Sequence, residues 1–169
     1  RAVPAESVEQ ALSMLFSGQC EAFADDAIFL QAHLANNPGE AGKFRTVTGS
    51  FSRELLSPVA RRGDEQWLLV LRSVLAALIH AEDTGVTAGA LASGDAFAEN
   101  PRARVFLARA DAVSKALGLP PGWAARAVGA VGNYGEMFER NVGPNTPLKL
   151  DRGENQLWSR GGLIQAPPF

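Results

Sequence analysis

The sequence predicts an α/β fold of which only part is present. Short strand candidates fall in the first third, helical patterns fill the remainder, and three strands are too few for a parallel sheet covered on both faces. The missing strands are expected from absent chain or from another subunit. With 169 residues, 46% hydrophobic and 20% charged, the chain has ordinary globular composition. It suffices for one domain or two small lobes, burying roughly 70% of the unfolded surface.

The elements follow in order. Pro4 to Ser7 lead into Val8, Ala11, Leu12 and Leu15, an amphipathic helix that ends at Gly18. Glu21–Ala24 is a short strand candidate in which Cys20 marks the start. Ala27–Ala35 is a second helix with Asp26 placed to cap it, and Asn36-Asn37-Pro38-Gly39 spells a turn. Phe44–Thr48 alternates as a strand does, and Leu56–Ala60 suits an extended edge, since Pro58 cannot donate to a central ladder.

Glu65 to about Asp83 is the strongest element. Trp67, Leu68, Leu71, Leu75, Leu78 and Ile79 recur at helical spacing, Val70 and Val74 widen the stripe, and Gly85 closes it. So broad an apolar surface wants cover on more than one side. A short helix at Thr87–Ser93 is expected next, then Pro101–Leu117, then Trp123 to about Asn141. Asn141–Pro147 is a loop. Asp151–Ser159 is expected as a last helix with Leu157 and Trp158 inward.

Several functional classes find no support. The net charge is −2 with scattered Lys and Arg, so no basic stripe exists to displace counterions from nucleic acid. The longest apolar run, Val74–Ile79, is far short of the ~20 residues of a membrane span. The single Cys20 excludes an intrachain disulfide and is expected to be a partly buried small side chain. His33 and His80 stand apart from any metal-ligand cluster and suit structural or surface roles. No Gly-x-Ser-x-Gly elbow occurs, and Gly129, Gly132 and Gly135 lie within a helical stripe without the Lys-Ser/Thr of a phosphate loop. Trp67, Trp123 and Trp158 are expected as core anchors. Neither catalytic residues, a metal nor a cofactor can be assigned, so an enzyme is not expected.

One local pair remains. Asp25-Asp26 follows a strand candidate, where ligands collect in open α/β sheets, and a carboxylate there can receive an ammonium group. The alternative is a helix cap with a solvated neighbour.

Ala130-Val-Gly-Asn-Tyr-Gly-Glu-Met-Phe-Glu-Arg-Asn-Val-Gly143 is similar to the C-terminal signature of the general L-amino-acid-binding periplasmic proteins of ABC uptake systems. So is Pro147-Leu-Lys-Leu-Asp-Arg-Gly-Glu-Asn-Gln-Leu-Trp-Ser-Arg-Gly-Gly-Leu-Ile-Gln-Ala-Pro-Pro168. Leu56–Trp67 resembles the family's crossing back towards the first lobe, and Ser17–Asp26 its Gly-Arg-Cys-Asp segment. The resemblance implies the C-terminal part of a two-lobed type II periplasmic-binding-protein-like fold, helix-rich with few short strands. Residues 1–57 would be the back half of lobe two, and residues 58–169 the return crossing and C-terminal helical segment of lobe one.

It also implies a solute-binding component of an amino-acid ABC transporter in the periplasm, with an amino acid and a membrane permease as partners. Asp26 matches the carboxylate that holds the ligand's α-ammonium, with Asp25 as a second candidate. The family's carboxylate-binding arginine and its Gly-Thr-Thr turn lie upstream of this segment, so weak or no binding is expected alone. The chain opens without initiator Met or signal peptide, as expected of a processed or truncated product that would act with an N-terminal half. The alternative is a stand-alone remnant that self-assembles as a protein-interaction module with a second copy.

Overall fold

A computed structural model of the chain describes residues 1–47, 49, 52, 55–94 and 100–167. The chain divides into two compact units, Arg1–Arg53 with Pro147–Leu150, and Glu54–Thr146 with Asp151–Phe169.

The first unit holds α1 (Val8–Phe16), α2 (Ala27–Asn36) and α3 (Pro38–Ala41). Ser7 caps α1 by accepting a hydrogen bond from the Gln10 backbone N–H. The Glu9 carboxyl in its first turn is held below its ordinary value by its own backbone N–H, then by the Ser7 hydroxyl. Phe16 meets Phe44 with ring centroids 5.6 Å apart. None of the described residues of this unit is fully buried. Its helices have apolar side chains but no core of their own.

The second unit has a core. It contains α4 (Glu65–Thr84), α5 (Ala88–Ser93), α6 (Pro101–Ala112), α7 (Ser114–Leu117), α8 (Trp123–Val131) and α9 (Tyr134–Asn141). Ala77, Leu78, Ala81, Ala103, Phe106, Ala110, Ala124 and Val128 pack together with Trp123, whose indole N–H donates to the Ala110 carbonyl at 2.8 Å. Alanine at so many contacts lets α4, α6 and α8 approach closely. Asp64, Thr87 and Asn100 cap α4, α5 and α6 through their side chains.

Several expectations are corrected. No strand forms among the described residues; the one β feature there is an isolated parallel bridge between Leu157 and Ile164. Glu21–Ala24, with Cys20, is loop, residues 44–47 carry no ladder, and Leu56–Ala60 is extended but unpaired. Alternation marks a segment fit for a sheet, and without neighbouring strands it makes no ladder. Thr48 lies outside the described residues. The Asn36–Gly39 turn is in part a helix start, because Pro38 at the first helical position has its φ already set for α3.

The two long helices are each divided. Val113, with ψ −1°, separates α6 from α7. Gly132, at φ 84° and ψ 172°, ends α8, and Asn133 and Glu136 form a capping box that starts α9. A Cβ on Gly132 would lie 2.8 Å from that of Glu136. The expected helix over Asp151–Ser159 is instead two single 3₁₀ turns, Gly153–Asn155 and Trp158–Arg160. Leu157 is buried as expected, but Trp158 and Trp67 are exposed, leaving Trp123 as the anchor.

A buried ion pair organises the second unit. Glu82, 5% exposed, and Arg152, 9% exposed, meet in a bidentate pair at 3.0 and 3.1 Å. Arg152 also donates to the Asn155 carbonyl and lies over the rings of Tyr134 and Phe138 at 5.4 and 5.1 Å. A Cβ on Gly135 would fall 3.0 Å from the Glu82 carboxyl carbon, so the close approach of α9 requires glycine there. Arg160 stands farther off, at 3.7 Å from Glu82.

Two outcomes follow for urea unfolding monitored by circular dichroism. Arg152→Met is expected to cost about 3–5 kcal/mol by stranding a buried carboxylate, whereas Arg160→Ala, at an exposed partner, is expected to cost less than about 1 kcal/mol. Ser114, buried with its hydroxyl unpartnered, gives the opposite sign: Ser114→Ala is expected to leave stability unchanged or raise it by about 1 kcal/mol.

Candidate functional site

Asp25 and Asp26 stand where the loop after α1 enters α2. That loop leaves α1 through a bond from the Cys20 N–H to the Met14 carbonyl at 3.1 Å, and Cys20 is half-buried, as its sequence setting suggested. Asp26 occupies the N-cap position, and its carbonyl accepts the Leu30 N–H at 2.9 Å. Its carboxylate makes no capping hydrogen bond. This corrects the capping expectation: the backbone takes the cap position while the side chain stays uncommitted.

The two carboxylates differ in their engagements. Asp25 Oδ1 accepts the Asp26 backbone N–H at 2.9 Å, and its Oδ2 lies 3.3 Å from His33 Nε2. The His33 ring also meets Phe23 at 6.0 Å between centroids, tilted 58°. Asp25 is thus held from two sides, whereas the half-buried Asp26 is left to face outward chemistry. The positive end of α2 stabilises negative charge at both, and two carboxylates there leave a net attraction for a cation.

His33 is the participant the sequence reading left among structural residues. It lies seven residues beyond Asp26, two helical turns along the same side of α2, and that spacing was the available signal. An open groove of about 970 Å³ borders the loop and the N-terminal residues, but neither Asp25 nor Asp26 lines it.

In the second unit a smaller groove of about 340 Å³ is bordered by His80, Asp83, Arg102, Phe106 and Arg109. Its polar groups serve the fold: Asp83 pairs with Arg102 and accepts the Ser159 hydroxyl, and His80 meets the Pro167 carbonyl and stacks on Phe106. Among the described residues no group of His, Cys, Asp or Glu could hold a metal ion, and no helix is long and apolar enough to cross a membrane.

The helical frame and its structural likeness place the chain within the type II periplasmic-binding-protein class. A solved periplasmic binding protein from Brucella ovis, with glutathione bound, superposes with a TM-score of 0.82 at 32% identity, covering 98% of this chain and 52% of its own.

Within that class the chain is related to the amino-acid-binding proteins of ABC uptake systems. It is 39% identical over 153 residues to the glutamate/glutamine/aspartate/asparagine-binding protein BztA of Rhodobacter capsulatus, covering 90% of this chain and 45% of that protein. It is 36% identical over 162 residues to the putative amino-acid ABC transporter-binding protein YhdW of Escherichia coli K12, covering 95% and 47%. The general L-amino acid-binding periplasmic protein AapJ of Rhizobium johnstonii is 37% identical over 158 residues. No family model matches. The chain spans about half the length of the curated relatives it matches.

If Asp26 is uncommitted to the helix, its removal spares the fold. Asp26→Asn is expected to change thermal stability by less than about 0.5 kcal/mol, against about 1 kcal/mol lost by Ser7→Ala at a true side-chain cap. An equal loss from both would show that Asp26 works as a cap.

Proposed function

We propose that the chain supplies one wall of an amino-acid-binding cleft in the solute-binding component of an ABC uptake system, with Asp26 receiving the ligand's α-ammonium group. The relationship to amino-acid-binding proteins at 36–39% identity over 90% or more of the chain carries this reading. The uncommitted Asp26 carboxylate supports the residue. An ammonium group gains charge-assisted hydrogen bonds there, and Asp25, tied to His33, adds attraction at longer range.

Residues 1–57 are assigned to the back half of lobe two, and 58–169 to the return crossing and the last segment of lobe one. The ligand's carboxylate and side chain are met by the remaining length of such proteins. Glutathione, bound by the Brucella ovis neighbour, carries the same α-ammonium group on its glutamyl end. The assembled protein would work in the periplasm and deliver its ligand to a membrane permease. Its work is binding and release, with no bond made or broken.

Calorimetric titration of the chain with L-glutamate, L-glutamine and glutathione tests this reading. Dissociation constants of about 1 mM or weaker are expected, because an unpaired ligand carboxylate costs several kcal/mol in a cleft. Ligand-induced amide shifts should centre on Asp26 and Ala27 and vanish in Asp26→Asn. Micromolar affinity for the chain alone contradicts the half-site, and shifts that survive in Asp26→Asn contradict the assigned contact.

A further inference from the structure

α4 carries an apolar row that is covered at one end and bare at the other. Trp67, Leu71, Leu75 and Leu78 follow one another at steps of three and four, which sets them along one side of the helix. Leu78 is buried in the core, but Leu75 is 39% exposed and Trp67 51% exposed. Leu68 and Leu71, beside them, are half-buried. The row runs out from under the core of the second unit.

The segment just before this helix is bare in a different way. Leu55–Ala60 runs extended, with Leu55 93% and Val59 96% exposed. Its backbone N–H and C=O groups make no hydrogen bond to any described residue. An apolar helix face and an unpaired extended segment are both satisfied by a β-sheet, whose face takes the helix and whose edge takes the strand. No strand is present among the described residues, while about half the length of each curated relative lies outside the match.

We propose that the Trp67–Leu75 side of α4, together with Leu55–Ala60, is the seat of a β-sheet carried by the half of the relatives' length that this chain does not span. The inference rests on the solute-binding reading and adds the surface through which the two halves join. A second copy is the poorer occupant. It brings another helix, but for Leu55–Ala60 it offers only one like segment interrupted by Pro58, and two-stranded pairings are marginal in water.

The test is co-expression of the full chain with the part of the Rhodobacter capsulatus protein BztA outside the matched region. A 1:1 complex is expected, with hydrogen exchange at Leu56, Val59 and Ala60 slowed at least about tenfold. Leu71→Asp and Leu75→Asp are each expected to reduce the partner recovered about tenfold by placing a charge in the interface. Trp158→Asp, at an exposed tryptophan elsewhere in the unit, should leave recovery unchanged. Circular dichroism establishes that each variant is folded, and Trp67→Glu, at the most exposed position of the row, replaces any that is not.

Failure to form a complex overturns the proposal, as does a complex indifferent to substitutions along the row. Self-association of the chain that Leu75→Asp abolishes assigns the face to a second copy and also overturns it. Amino-acid binding by the complex is read separately. A stable complex without affinity contradicts the proposed function and leaves the interface standing.

Discussion

The buried contact between Glu82 and Arg152 is the constraint on which the second unit depends. A carboxylate this far from water is tolerable only against a guanidinium that meets both its oxygens. That requirement draws the segment after residue 150 onto the end of α4. The Asn155 carbonyl takes further guanidinium N–H groups, and the rings of Tyr134 and Phe138 cover its faces. Gly135 lets α9 come close enough for this to happen. The capping box of Asn133 and Glu136 then orients α9, and Glu136 also accepts the Ala88 N–H, joining α9 to the start of α5.

The residues that made the chain recognisable are therefore mostly framework. Gly132 through Phe138 and Arg152 through Leu157 sit around one ion pair in the second unit, and their unusual combination reflects that packing. The ligand chemistry is assigned elsewhere, at Asp25 and Asp26 in a unit with no fully buried residue among those described. Such a unit has a binding group but lacks the core that would hold it rigidly. This agrees with a chain spanning about half of its relatives. A site of this kind becomes precise only when the rest of the cleft is packed against it.

What the sequence made legible was governed by how local each signal was. α4 could be read almost to the residue, because its stripe, the Asp64 cap and Gly85 agree. The division at Gly132 was hidden by small and apolar residues that keep helical spacing across it, although the Asn133/Glu136 capping pattern was there to be seen. Trp158 looked inward by its neighbour Leu157, but a 3₁₀ turn points adjacent residues differently from the expected α-helix. The strand candidates failed for a non-local reason, since pairing depends on partners no window of sequence contains. At the candidate site the two aspartates were legible, while their unequal engagement depended on His33 and on a cap made by backbone alone.

A double-mutant cycle on Glu82→Gln and Arg152→Met, measured by urea unfolding, tests the central claim most directly. The account expects a coupling of about 2 kcal/mol or more, with the double variant little less stable than either single one. Additive losses, with coupling near zero, would mean that the pair is incidental and that apolar packing alone holds α4, α9 and the segment after residue 150 together.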